Sequence, residues 1–139
     1  MPAAPALLVA ASALVIFTLG VLHLLITFRG SKLWPRDAAL KADMEAASPQ
    51  LTRQTTMWKT WIGFNASHSL GAMLFGLVFG FLALSEPALF FQSRFLRLVG
   101  LATLAAYVVL GWRYWFSVPF RGICLATLLY AGALAISLG

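Results

Sequence analysis

Two long uncharged apolar runs constrain this chain more than any other feature of its sequence. The first extends from Pro5 to Phe28 and the second from Thr60 to Ser85. About 20 apolar residues in a helix, at a rise of about 1.5 Å each, cover the roughly 30 Å hydrocarbon core of a bilayer. Both runs are long enough, so the sequence predicts an integral membrane protein. We expect the first run to be a membrane helix rather than a cleaved signal peptide, because no basic segment precedes it.

The composition agrees with a membrane protein. The 139 residues are 61% hydrophobic and 10% charged, whereas soluble domains carry about 25% charged residues. The net charge of +6 comes from basic residues that flank the apolar runs rather than from one basic patch. Basic residues in such positions set the orientation of a protein in the membrane and contact anionic lipid headgroups. We therefore expect membrane lipids as partners and no binding to nucleic acid.

The pattern of apolar segments predicts an all-α fold, a four-helix transmembrane bundle that forms a single domain over residues 1–139. Ser48 and Pro49 resemble a capping hydroxyl followed by proline in the first turn, so the second helix is predicted to begin there. Leu89, Phe90 and Phe91 are predicted to form an interfacial loop. The four helices are predicted at about residues 5–28, 49–85, 92–116 and 119–138.

A shorter helix is predicted between the first and second spans. Pro35 suits the first turn of a helix. Asp37, Lys41 and Glu45 follow at intervals of four residues, which allows their charges to pair along one helix face. We expect this helix to be cytoplasmic, on the membrane surface or beneath the bundle.

Basic residues are concentrated on one side of the predicted spans. Eight of the ten lie in the first loop or beside the turn between the third and fourth helices, and two lie at the start of the third helix, on the other side. The larger group comprises Arg29, Lys32, Arg36, Lys41, Arg53, Lys59, Arg113 and Arg121, and the smaller group comprises Arg94 and Arg97. Cytoplasmic loops carry an excess of Lys and Arg. The first loop is therefore predicted in the cytoplasm, with both termini outside.

Polar side chains interrupt two of the spans. His23 lies in the first, and Trp61, Asn65 and His68 lie in the second. Polar groups in a membrane turn toward the protein interior, so these side chains are expected to converge. With Arg113, they are the predicted ligand-binding residues. Their ordinary role would be hydrogen bonding between helices, at about 0.6 to 2 kcal/mol each.

Two alternatives give the histidines a chemical role. In the first, a membrane enzyme uses His68 or His23 as an acid–base group near neutral pH, Asn65 orients a lipophilic substrate, and Arg113 binds an anionic headgroup at the cytoplasmic leaflet. In the second, His23 and His68 are the axial ligands of a b-type haem. Neighbouring polar groups can satisfy an imidazole without a metal, so we predict no haem, no other cofactor and no bound metal.

Three segments carry a resemblance to a known group of proteins: GVLHLL in the first helix, TWIGFNASHSLG in the second, and RYWFSVPF at the last turn. The chain resembles an uncharacterised family of small bacterial four-helix integral membrane proteins. The resemblance implies four helices and a location in the bacterial inner membrane. It implies no reaction, cofactor or catalytic residue.

The sequence contains no motif that identifies a catalytic nucleophile, a metal-ligand set or a phosphate-binding loop. This favours a non-enzymatic role, as an accessory or interaction subunit or as a lipid-binding module. Ala72, Gly76 and Gly80 recur every four residues, and small residues at this spacing allow another helix to approach closely. This stripe is the predicted surface for a membrane protein partner or a second copy of the chain.

Overall fold

The fold is all-helical in the computed structural model, which describes residues 3–138. Within those residues there are six α-helices and no β-strand. The helices are α1 (Ala3–Phe28), α2 (Ala38–Ala46), α3 (Met57–Ser85), α4 (Pro87–Gln92), α5 (Arg94–Tyr114) and α6 (Ser117–Leu138). Met1, Pro2 and Gly139 lie outside the described residues, and so do the predicted positions of the two chain ends.

Four of the helices, α1, α3, α5 and α6, are long and apolar enough to cross a membrane. Their ends differ from the predicted ones by a few residues, except at the start of α3. The last helix, predicted from residue 119, begins at Ser117, so Ser117–Pro119 form the first turn of α6. Proline is tolerated in a first turn because its missing N–H has no partner there in any case.

The start of α3 differs from the prediction, because this helix begins at Met57 and not near Pro49. Residues from Pro49 to Thr52 instead form a turn, in which the Thr52 N–H donates to the Pro49 carbonyl at 3.3 Å. A better cap lies further along the chain. The Thr56 hydroxyl accepts a hydrogen bond from the Lys59 N–H, and the Thr56 carbonyl accepts one from the Thr60 N–H. A side-chain oxygen that satisfies a first-turn N–H sets the start of a helix.

The predicted loop from Leu89 to Phe91 is wrong, because these residues belong to the short helix α4. Pro87 occupies its first turn, and Phe90 and Phe91 are buried. An apolar segment of this length next to a proline is compatible with either a loop or a helical turn. Burial of the two aromatic rings stabilises the helical form.

The chain divides into two compact units. One comprises Met1–Leu19 and Ala72–Gly139, and the other comprises Gly20–Gly71. We refer to them as the core unit and the loop unit. Helices α1 and α3 each contribute one part to both units.

In the core unit, the predicted small-residue stripe packs against the chain's own α1. A Cβ atom added at Gly76 would lie 2.5 Å from the Cβ of Phe17 and 2.8 Å from the carbonyl oxygen of Ala13. Ala72 is buried, and a Cβ at Gly80 would lie 3.7 Å from that of Ala13. At Gly76 the stripe is therefore occupied by α1, and contact with a partner or second copy elsewhere along it stays a prediction. Close helix contact through small residues is used within the chain.

Aromatic rings fill another part of the core unit. The rings of Phe79, Phe90 and Tyr130 contact one another at centroid distances of 6.0 to 6.1 Å, in edge-to-face geometry. Tyr130 is fully buried, and its hydroxyl donates to the Arg97 carbonyl at 3.1 Å. A Cβ at Gly100 would overlap the Tyr130 ring. The absence of a side chain at Gly100 thus allows α6 to bring Tyr130 against α5.

In the loop unit, α2 is held in place by the ammonium group of Lys41, which lies between two tryptophan rings. The Asp37 side chain caps α2 by accepting from the Ala39 N–H at 2.9 Å. The Lys41 ammonium, which also pairs with Glu45, lies 4.4 Å from the ring centroid of Trp34 and 4.7 Å from that of Trp58. Ammonium groups within about 6 Å of an indole face are attracted by its quadrupole. Lys41 therefore ties α2 to the start of α3 and to the segment before α2.

Candidate functional site

His23 and Asn65 meet within the loop unit. His23 lies in the last turns of α1, and Asn65 lies in the third turn of α3. The His23 Nε2 and the Asn65 Oδ1 are 2.9 Å apart, which is hydrogen-bonding distance. The structure thus joins two of the predicted site residues directly, and it joins two helices by doing so.

The rest of the Asn65 amide determines which atom carries the proton. The Asn65 Nδ2 donates to the Trp61 carbonyl at 2.8 Å. Because that carbonyl can only accept, the amide nitrogen must face it and the amide oxygen must face His23. The amide oxygen is also only an acceptor, so His23 donates from Nε2. His23 is therefore held with a proton on Nε2.

Further hydrogen bonds extend this arrangement along the loop unit. The Trp61 indole N–H donates to the Leu33 carbonyl at 3.1 Å, and the Thr27 hydroxyl donates to the His23 carbonyl at 2.7 Å. The first bond connects the segment after α1 to the start of α3. Trp61 is 42% exposed. It therefore supports the polar residues through its backbone carbonyl and its indole N–H, rather than enclosing them in a sealed pocket.

His68 lies beside His23. Their ring centroids are 5.4 Å apart and the ring planes are nearly perpendicular, at 85°. His68 is partly buried. The Ser69 hydroxyl on the same helix donates to the Asn65 carbonyl at 2.8 Å. Two imidazoles and one amide thus form a compact polar cluster, which we call the His–Asn cluster and define as His23, Asn65 and His68.

The remaining predicted site residue, Arg113, lies outside the loop unit. It belongs to the core unit, lies in the last turn of α5 and is exposed. Its predicted association with the histidines stays a prediction.

The donor set of the cluster limits its chemistry. Two imidazoles and a neutral amide provide acid–base groups but no carboxylate or thiolate. No group of three or more His, Cys, Asp or Glu with a geometry suited to a metal ion occurs within residues 3–138. A histidine oriented by an amide can serve as an acid–base group. It can also simply connect two helices.

Two features of the loop unit were missed by the sequence reasoning. One is the bond between Trp61 and the Leu33 carbonyl, which involves a backbone acceptor that no residue type marks. The other is the position of Lys41 between two indoles. The sequence offers a signal for the second, since Trp34 and Trp58 lie just outside the two long apolar runs, where interfacial tryptophans are expected.

Comparisons with protein-family models, with curated proteins and with solved structures find no match to this chain.

Proposed function

We propose that this chain is a multi-pass membrane protein with four spans packed as a bundle. The supporting observation is the exposure of large apolar side chains along all four long helices. Leu14 in α1 is 65% exposed, Phe81 in α3 is 59% exposed and Leu128 in α6 is 72% exposed. In α5, Leu98 and Val109 are also exposed. Soluble monomers rarely present apolar patches on this scale, whereas lipid tails cover them without cost.

The proposed location is the bacterial inner membrane, and the proposed orientation places the segment between α1 and α3 in the cytoplasm. The eight-to-two distribution of basic residues supports this orientation. Both termini would then lie outside the cytoplasm. The bacterial inner membrane is the location implied by the resemblance.

The proposed role is a non-enzymatic one, as a lipid-binding module or as an accessory subunit beside another membrane protein. The His23–Asn65 bond carries this proposal. In this bond Nε2 of His23 donates to the Asn65 amide oxygen, and the Asn65 amide nitrogen donates to the Trp61 carbonyl. Polar groups that satisfy one another between helices need no substrate to explain their presence. Partner contact would involve a surface away from Gly76, which packs against α1.

Purification of the full chain in mild detergent, followed by native mass spectrometry, tests this role. We expect the protein to retain bound phospholipid or to copurify with a membrane protein partner. A strictly monomeric protein that carries neither would contradict the proposal. Extraction behaviour provides an independent check of membrane location, since an integral protein stays in the membrane fraction after washing at alkaline pH.

A membrane enzyme is the second candidate, and one observation favours it. His23 is oriented by Asn65 through its Nε2–H, and a second imidazole lies beside it. An oriented histidine next to another titratable group is the arrangement that acid–base catalysis requires. The test is incubation of the purified protein with a bacterial lipid extract, with mass spectrometry of the products. Turnover that is lost in both the His23→Ala and His68→Ala variants would replace the non-enzymatic proposal.

A further inference from the structure

Arg97 contains a buried polar atom that has no hydrogen-bond partner in the described part of the chain. Its Nε is buried, and no atom of residues 3–138 accepts a hydrogen bond from it. Arg97 also forms no ion pair with an acidic side chain in that part of the chain. Leaving a charged donor buried without an acceptor costs free energy, so the guanidinium of Arg97 has unused capacity to donate hydrogen bonds.

The position of Arg97 is fixed by its backbone. Its N–H donates to the Ser93 carbonyl at 3.2 Å, and its carbonyl accepts from the Tyr130 hydroxyl at 3.1 Å. Tyr130 is fully buried in the core unit. The first turn of α5 is therefore held in place, so the backbone position from which the Arg97 side chain extends is fixed. The residue as a whole is only partly buried, so part of it remains accessible from outside.

The residues around Arg97 form two adjacent rows on α5. Arg94, one turn earlier, is exposed and adds a second guanidinium on the same side. Phe95 and Leu98 follow these arginines by one position each and are 73% and 57% exposed. A basic row thus lies next to an apolar row. An occupant that matches both rows has an anionic head and an apolar chain.

We propose that Arg97, with Arg94, binds the phosphate of an anionic phospholipid whose acyl chain lies along Phe95 and Leu98. This inference rests on the proposed membrane location and identifies the lipid class and the binding site. The Arg97 guanidinium would donate to phosphate oxygens, for which its planar fork of N–H donors is well suited. The site would lie at the membrane boundary opposite the one that carries the eight other basic residues.

The test compares two lipids with identical acyl chains, phosphatidylglycerol and phosphatidylcholine, added to the delipidated full-length protein in detergent. Binding is followed by native mass spectrometry. For the unmodified protein we expect phosphatidylglycerol to bind more tightly than phosphatidylcholine by about tenfold or more, since charge-assisted hydrogen bonds contribute that much. The Arg97→Lys variant keeps the charge but loses the Nε–H and the fork. We expect it to lose most of this preference.

A matched control is Arg36→Lys, which makes the same change at an exposed position in the loop unit. It should leave the lipid preference unchanged. Equal loss in both variants, or no preference in the unmodified protein, would overturn the site. Inorganic phosphate that competes with phosphatidylglycerol at equal phosphate concentration would overturn the assignment to a lipid. The melting temperature of each lipid-free variant shows whether the fold is retained.

Failure of this site and failure of the membrane proposal are distinguishable. A protein that requires detergent for extraction but binds both lipids equally contradicts only the site. A protein that is soluble without detergent contradicts the membrane location itself.

Discussion

The imidazole of His23 donates from Nε2 to the amide oxygen of Asn65, 2.9 Å away, across 42 residues of sequence. This bond joins the end of α1 to the first half of α3. Two further hydrogen bonds continue from it: the Asn65 amide nitrogen donates to the Trp61 carbonyl, and the Trp61 indole N–H donates to the Leu33 carbonyl. These hydrogen bonds connect α1, α3 and the segment between them within the loop unit.

The first prediction concerns this bond. Replacing Asn65 by Ala removes the acceptor of His23 and leaves its Nε2–H without its partner. We expect a loss of stability of about 0.6 to 2 kcal/mol, the usual range for hydrogen bonds between membrane helices. Thermal unfolding in detergent measures the change. The control is Ser67→Ala, because the exposed Ser67 hydroxyl donates only to the Phe64 carbonyl of its own helix. A variant at Asn65 that is as stable as the control would refute the structural role.

The sequence was most informative where polar residues interrupt an apolar helix. His23 and Asn65 were expected to converge because polar groups turn away from lipid, and the structure places them in contact. The same rule does not identify a backbone acceptor, so the role of the Leu33 carbonyl had no signal in the sequence.

Small residues and short apolar segments were less informative, for physical reasons. The stripe at Gly76 indicates that a helix approaches, but its spacing is the same whether that helix is α1 or a partner. The aromatic residues of α4 are compatible with a membrane interface or with a core. Only the packed rings of Phe90 and Tyr130 distinguish the two.

The second prediction tests the contact between α1 and α3 in the core unit. In Gly76→Ala, the new methyl group would lie 2.5 Å from the Cβ of Phe17, so the helices must move apart. We expect destabilisation by about 1 to 3 kcal/mol, as for other overpacked sites. Gly63→Ala makes the same change where no atom lies within 4 Å. That control should be neutral or stabilising by up to about 1 kcal/mol, because alanine favours a helix. Equal melting temperatures for the two variants would contradict the packing.

The third prediction concerns the cation between Trp34 and Trp58. Lys41→Gln removes the ammonium from both indole faces and breaks the pair with Glu45. Cation–π contacts at such sites contribute about 0.5 to 1 kcal/mol, which corresponds to a two- to fivefold change in an opening equilibrium. We therefore expect amide hydrogens of α2 to exchange about two to five times faster, measured by mass spectrometry. Lys32→Gln, at an exposed position, serves as control and should leave the exchange of α2 unchanged.

The fourth prediction tests the orientation of the chain. Single cysteines are introduced at Ser48 and at Gln92, both exposed, in a background in which Cys124 is replaced by serine. We expect the Ser48→Cys variant to react with a membrane-impermeant thiol reagent only after the cells are permeabilised. The Gln92→Cys variant should react in intact cells. The opposite pattern would invert the orientation inferred from the basic residues.

The last prediction is that the purified protein carries no haem. Axial ligation requires an imidazole nitrogen whose lone pair is free for iron, yet Nε2 of His23 carries the proton that it donates to Asn65. Ligation through that atom would require this bond to break and the proton to move to Nδ1. Loss of the His23–Asn65 hydrogen bond would also remove a contact between α1 and α3. We therefore expect the absorption spectrum to lack a Soret band. A Soret band in the unmodified protein that disappears in both the His23→Ala and the His68→Ala variants would assign the His–Asn cluster to electron transfer instead.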